Sequence, residues 1–182
     1  LLFHGTIVRT TRDGYTENLL SPAEKIDFDD LLAGHFTLKY LPSNSLELTM
    51  HGGFVEDEGD FAARKHFNID AAGLVGGATQ IDDPRKIMAD QGPRSADLKS
   101  WFVDVNINWD LGWADLSSIT AIQDVSAKPW REDLDATEIS ALHQGEPGVL
   151  NGYSEETETI SQEFLLSSQN EVKMDWLLGL YY

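Results

Sequence analysis

The stretch WFVDVNINWD, residues 101–110, alternates between apolar and polar side chains over most of its length. Successive side chains of a β-strand point to opposite faces, so the odd-numbered residues would share one face and the even-numbered residues the other. The odd-numbered set is apolar and has Trp101 and Trp109 at its ends, whereas the even-numbered set carries mainly carboxylates and amides. The stretch therefore predicts a strand with one apolar and one polar face.

The same period of two recurs along the chain, and long helical periodicity does not. Within 32–40 and 46–55, an uncharged set of side chains alternates with a set that is mostly polar or charged. The segment DPRKIMADQ at 83–91 is the exception, because it fits a short helix in a loop. We predict seven strands, at about 3–13, 31–41, 45–56, 98–109, 114–126, 157–167 and 174–182.

The connections between these predicted strands alternate strictly in length. The long ones are rich in Gly, Pro and acidic residues and lie at 14–30, 57–97 and 127–156, and the short ones lie at 42–44, 110–113 and 168–173. In an antiparallel up-and-down meander, this alternation places all long loops at one end of the sheet. Outer-membrane barrels have this arrangement, and a loop of about 40 residues would be unusual inside a small soluble domain.

Neighbouring strands must keep like faces together, and this restricts their register. In the hairpin 31–56 we prefer the register that sets Lys39 opposite Glu47, because opposite charges in cross-strand pairs stabilise a sheet. In this register Tyr40 pairs with Leu46 next to the turn. In the next hairpin, keeping like faces together favours Trp109 opposite Ala114.

Large aromatic side chains cluster near the predicted strand ends. Trp101 and Trp109 are eight residues apart on one face, which corresponds to about 26 Å along a strand. This length is close to the apolar band of about 25 Å, with aromatic girdles at both edges, of outer-membrane barrels. The predicted membrane-girdle residues are Tyr40, Trp101, Trp109, Trp113 and Trp176.

Charge excludes one class of function. The 31 acidic and 13 basic residues give a formal net charge of −18, which argues against nucleic-acid binding. The acidic residues cluster at 56–60, 131–135 and 155–158, which is typical of solvated loops. The chain has no cysteine, and no apolar run is long enough for a transmembrane helix.

Five segments resemble the barrel of TonB-dependent outer-membrane receptors and occur in the order expected for that family. They are RDGYTEN at 12–18, LKYLPSNSLELTM at 38–50, LSSITAIQD at 116–124, SQEFLLSS at 161–168 and DWLLGLYY at 175–182. The chain departs from the family pattern at Leu165, where an arginine is common, and at 121–123, where Gly-Tyr-Arg is common. These departures fall on wall positions of the implied barrel.

The resemblance implies an all-β fold, in which an antiparallel up-and-down meander of about seven strands is part of a large transmembrane β-barrel spanning residues 1–182. It also implies a bacterial outer-membrane location and TonB-energised import of a siderophore, cobalamin, glycan or similar nutrient. The expected partners are outer-membrane lipid, the small nutrient ligand, and the TonB complex through a region outside this sequence. The sequence shows no TonB box or plug domain, so we expect a fragment of the family's wall of roughly 22 strands.

The sequence contains no catalytic motif, so we expect no enzyme activity and no cofactor. His35 and His51 face each other in the predicted register and could share a metal ion. We interpret them instead as lining of the polar face, with no metal site. The implied ligand contacts lie in the outer loops, and the side chains most able to hold an anionic or ring-bearing ligand are His66, Arg85, Arg94, Trp130, Arg131 and His143.

Two other architectures are compatible with the strand pattern. A soluble all-β binding module, such as a carbohydrate-binding sandwich, would bury the apolar face of 101–110 against a second sheet. A complete small barrel of about eight strands would need one more strand than the seven predicted here.

Overall fold

The computed structural model describes residues 1–20, 22, 25–60, 81–88, 95–133, 150–169 and 174–182, with the backbone alone at 95–96, 128–133 and 150–153. All regular elements of the described residues are strands, which confirms the predicted all-β class. In chain order they are β1 (Leu2–Arg12), β2 (Thr16–Asn18), β3 (Lys25–Ile26), β4 (Asp29–Tyr40), β5 (Leu46–Asp60), β6 (Lys86–Ile87), β7 (Ser95–Asp110), β8 (Ala114–Asp133), β9 (Leu150–Ser168) and β10 (Leu177–Tyr181).

Seven of these strands form one antiparallel sheet with the order β1-β4-β5-β7-β8-β9-β10. Each strand pairs with the next main-sheet strand along the chain, so the predicted up-and-down meander of seven strands is confirmed. The short connections all lie at one end of the sheet, here called the turn end, and the long ones lie at the other, here called the loop end.

Several strands extend beyond their predicted limits toward the loop end. β7 begins at Ser95, β8 continues to Asp133 and β9 begins at Leu150. The predicted strands stop where the apolar alternation stops. The backbone ladder continues because inter-strand hydrogen bonds need no apolar side chains.

Both predicted registers are wrong by two residues. Tyr40 pairs with Leu48 rather than Leu46, and Trp109 pairs with Leu116 rather than Ala114. Because a shift of two returns every side chain to its own face, the predicted faces are correct although the predicted partners are not. The ion pair used for the prediction still forms on the diagonal, since Lys39 Nζ lies 2.6 Å from Glu47 Oε1.

Glycines opposite phenylalanines fit the observed register. The Phe54 ring lies where a side chain at Gly34 would stand, and the Phe36 ring occupies the corresponding space at Gly52. Bulky residues at these positions would collide with the rings. The predicted register would have set Phe36 opposite Met50 and would have lost this complementarity.

A second, small sheet forms from two of the three long connections at the loop end. β2 is its central strand, antiparallel to β3 and parallel to β6, and its buried apolar side chains are Ile26 and Ile87. Thr16 donates a hydrogen bond to Asp27, which is buried and has a positive φ of 71°. The short helix predicted at 83–91 is wrong for residues 83–88, which form a turn followed by β6. Residues 89–91 lie outside the described part.

The main sheet is a single layer in the described structure. The buried apolar residues there are Ala114 in the main sheet and Ile26 and Ile87 in the small one. β1 and β10 each have one neighbouring strand among the described strands, and all of their residues are exposed. No helix among the described residues has the length and apolarity needed to cross a membrane.

The small sheet should depend on its two buried isoleucines. We expect Ile87→Ala to speed amide exchange at Glu17 and Leu19, which donate hydrogen bonds to Arg85 O and Ile87 O. Loss of a buried isoleucine costs about 2–5 kcal/mol in a full core, so an acceleration of about tenfold or more is expected. Hydrogen exchange measured by NMR checks this, with Leu20→Ala as the control because Leu20 is 47% exposed. Unchanged exchange at both amides would contradict the described packing.

Candidate functional site: the two faces of the main sheet

One face of the main sheet carries an apolar band that crosses neighbouring strands in register. On β5 and β7, the pairs Leu48–Ile107, Met50–Val105 and Phe54–Trp101 follow one another along this face. The face continues onto the remaining strands through Phe3, Ile7, Phe36, Leu38, Ile122, Ile160, Phe164, Leu166, Leu178 and Leu180. We call this surface the apolar band.

The apolar band ends within one row of the same height on neighbouring strands. Moving toward the loop end on the same face, Phe54 is followed by Glu56, and Trp101 is followed by Lys99. The next row toward the loop end pairs Asp30, Glu58 and Asp97 across three strands. The change from apolar to charged side chains is therefore a property of the sheet rather than of one strand.

A small polar cluster interrupts the band between β8 and β9. Gln162 Nε2 donates hydrogen bonds to Ser118 Oγ at 2.9 Å and to Glu163 O at 3.0 Å, and Thr120 Oγ1 donates to Gln162 Oε1 at 2.5 Å. Both functional atoms of the Gln162 amide thus have partners within the sheet. A polar side chain paired in this way costs little in an apolar environment.

Four of the five predicted girdle residues lie at or next to the turn end of the sheet, and Trp101 lies within β7. Tyr40 ends β4, Trp109 is next to the last residue of β7, and Trp101 marks the charged boundary of the band. At the turn end, the rings of Trp113 and Trp176 have centroids 6.3 Å apart. Trp101 and Trp109 are each 45% exposed, so no described element covers the ends of the band.

The opposite face, which we call the polar face, carries a cluster of interacting side chains near the middle of β4, β5 and β7. His51 Nδ1 lies 2.8 Å from Asp104 Oδ1, and the rings of His51 and His35 are stacked with centroids 6.4 Å apart. Phe102 lies over Gly53, directly opposite on β5, and its ring centroid is 6.3 Å from that of His35. An aromatic row therefore crosses the three strands on this face.

The two histidines of this cluster meet differently from the predicted pairing. His35 pairs with Gly53, not with His51 as predicted, and the two imidazoles meet on the diagonal as stacked rings. No group of three or more potential metal ligands occurs among the described residues. The cluster instead offers ring faces and one carboxylate–imidazole hydrogen bond.

The structure locates three of the six predicted ligand-contact residues. Arg85 is exposed in the turn before β6, where its N–H donates to Asp83 Oδ1 at 2.9 Å. Trp130 and Arg131 lie on β8, paired with Tyr153 and Gly152, rather than in a loop. His66, Arg94 and His143 lie outside the described residues. The described positions do not bring the predicted set together.

The sequence analysis missed Phe102 and Asp104 as members of the polar-face cluster. A signal for Phe102 is present in the sequence, because the Gly52-Gly53 pair leaves one empty position on each face of β5. Placing Phe102 on Gly53 and Asp104 beside His51 also requires the register between β5 and β7, which the sequence pattern does not fix.

Comparison with known proteins identifies no relative. No family model matches the chain, and no curated protein or solved structure matches it. The interpretation of the two faces therefore depends on the chain's own sequence and geometry.

The Asp104 carboxylate should fix the tautomer of the His51 ring. A carboxylate only accepts hydrogen bonds, so neutral His51 must carry its proton on Nδ1 to bond Asp104. We expect Asp104→Asn to shift neutral His51 toward a mixture of tautomers, at a cost of about 1 kcal/mol in unfolding free energy. Imidazole ¹⁵N shifts and urea unfolding check this, with Asp124→Asn as the control. An unchanged ¹⁵N pattern at His51 would contradict the assigned hydrogen bond.

Proposed function

We propose that this chain forms a section of the wall of a bacterial outer-membrane receptor of the TonB-dependent class, which imports a small nutrient. In the proposed arrangement, the apolar band faces lipid and the polar face lines a hydrated bore. The single observation that carries the proposal is the register of the apolar band, which continues across neighbouring strands and gives way to charged side chains within one row of the same height.

The dimensions of the band support this arrangement. Trp101 and Trp109 stand on the same face eight residues apart, or about 26 Å along the strand and somewhat less along the membrane normal when the strand is tilted, which is comparable with the apolar band of about 25 Å of outer-membrane barrels. Aromatic side chains at both edges and charged side chains beyond Trp101 follow the polarity of a membrane interface. The large exposed area of the band also needs a covering phase, and hydrocarbon supplies one without a second protein layer.

The topology supports a larger barrel than these seven strands. In a meander of seven antiparallel strands, β1 and β10 run in the same direction, so they cannot close on each other as an antiparallel pair. Lipid does not tolerate unpaired strand edges. An odd number of further antiparallel strands between β10 and β1 would satisfy both edges. Copies of the seven-stranded unit joined in a ring would instead require parallel pairs or opposite orientations in the membrane.

The proposed direction of import follows from the two ends of the sheet. Long extracellular loops and short periplasmic turns are characteristic of these barrels, so the loop end would lie outside the cell. The small sheet formed by β2, β3 and β6 would then be a folded part of the outer surface. The net charge of −18 disfavours an anionic ligand for that surface as a whole, so local cations such as Arg85 would have to provide any anion contact.

Spin labels at successive positions of β7 provide a sharp test, because the chain contains no cysteine of its own. We expect a nitroxide at Val105→Cys, with this section inside its closed barrel in phospholipid bilayers, to collide readily with oxygen and poorly with a water-soluble nickel chelate. The matched control is Asn106→Cys, one residue along on the opposite face, and it should show the reverse preference. Oxygen concentrates in hydrocarbon and the chelate stays in water, so the two reagents distinguish a label that faces lipid from one that faces the hydrated bore.

The same measurement distinguishes the soluble module. Burial of the apolar face under a second sheet would shield the Val105 label from both reagents, and this outcome would overturn the proposal. So would equal accessibility of the two positions to the nickel chelate, because a lipid-facing surface excludes it.

A further inference from the structure

The polar face contains a notch at the small residue Ala33. On one row, Val8, Ala33, Val55 and Ser100 lie side by side across β1, β4, β5 and β7. On the adjoining row, toward the turn end, Thr6, His35, Gly53 and Phe102 do the same. Ala33 is shorter than its neighbours, and a concavity of about 330 Å³ opens here. All residues of these two rows except Gly53 line it, together with Gly34 and Phe54.

The lining of this notch is apolar and carries no permanently charged side chain. Val8, Ala33 and Val55 supply aliphatic surface, and Phe102 and His35 supply two ring faces at a mutual tilt of 36°. The polar groups are the hydroxyls of Thr6 and Ser100 and the His35 imidazole. Predominantly apolar walls with a few polar groups are typical of small-molecule sites, which start at about 300 Å³.

We propose that this notch binds a neutral aromatic ring, either a small aryl molecule or the aryl group of a larger ligand. Aromatic rings favour offset or tilted contacts at centroid distances of about 4.5–7 Å, and Phe102 and His35 already have this relation to each other. An apolar cavity of about 150 Å³ holds one benzene, so the larger open notch accommodates a ring together with a substituent. A charged ligand would lose hydration here without gaining a counter-charge.

This inference goes beyond the proposed function, since it assigns a ligand chemistry to the polar face and depends only on the geometry of that face. Within the proposed barrel, the notch would open to the hydrated bore. It lies at the height of His35 and Phe102, away from the loop residues predicted as ligand contacts.

The test uses 4-fluorophenol as the probe and the full chain in detergent micelles, with binding followed by ¹⁹F NMR. We expect saturable binding to the wild type and a loss of affinity of at least tenfold in Ala33→Leu, which fills the notch. Ala121→Leu is the matched control, because it makes the same change on the same face but two strands away from β5, outside the notch. It should bind as the wild type does.

A second variant and a second probe distinguish aryl binding from a loss of fold and from binding that does not require an aromatic ring. Phe102→Leu should weaken binding while the far-ultraviolet circular dichroism spectrum stays unchanged, since the substitution removes a ring face and leaves the backbone pairing with Gly53 and Gln123 in place. Equal binding of cyclohexanol would overturn the aromatic occupant. Equal affinity of Ala33→Leu and Ala121→Leu, or non-saturable uptake by all variants, would overturn the notch as a site. The spin-label result on β7 does not affect these outcomes, so the two proposals fail separately.

Discussion

The two-residue period of a β-strand is the constraint on which the rest of this protein depends. A register shift of two changes every cross-strand partner but leaves every side chain on its face, whereas a shift of one would bring the charged residues of the polar face into the apolar band. The pairing of β8 with β9 does shift by one residue between Ala127 and Trp130. This irregularity lies beyond Asp124, on the loop side of the band. The shift therefore does not interrupt the apolar band.

The sequence was sufficient for the seven strands of the main sheet, the meander and the two faces, because each of these depends only on alternation and on connection length. It was insufficient for register. The predicted register was chosen because it sets Lys39 opposite Glu47. The long lysine side chain also reaches Glu47 on the diagonal, so the charge match did not discriminate between registers. Shape did discriminate: Phe36 faces Gly52 and Phe54 faces Gly34 in the observed register. Opposing charges adapt to a shift of two residues, but a ring filling the space above a glycine does not.

Structure at the loop end was the least predictable part. β3 and β6 are two residues long, and a period of two cannot be recognised in two residues. The pairing of β2 with β6 is also parallel and joins segments far apart in the chain, so no local turn motif predicts it. Trp130 and Arg131 were assigned to a loop because apolar alternation ends before them, although their backbones still pair with β9. Side-chain pattern therefore underestimates strand length where the apolar alternation ends before the backbone pairing does.

Gly52 and Gly53 are adjacent in the chain, but each leaves space on a different face of the sheet. Gly52 provides the space for Phe36 on the apolar band, and Gly53 provides the space for Phe102 on the polar face. Because adjacent residues point in opposite directions, a side chain added at Gly52 would displace a ring of the proposed lipid surface, while one added at Gly53 would displace a wall of the proposed aryl site. A single strand can therefore retain a fixed surface toward hydrocarbon while its other side varies with the ligand. A sandwich cannot separate these demands as cleanly, because its inner face must complement a second sheet at every position.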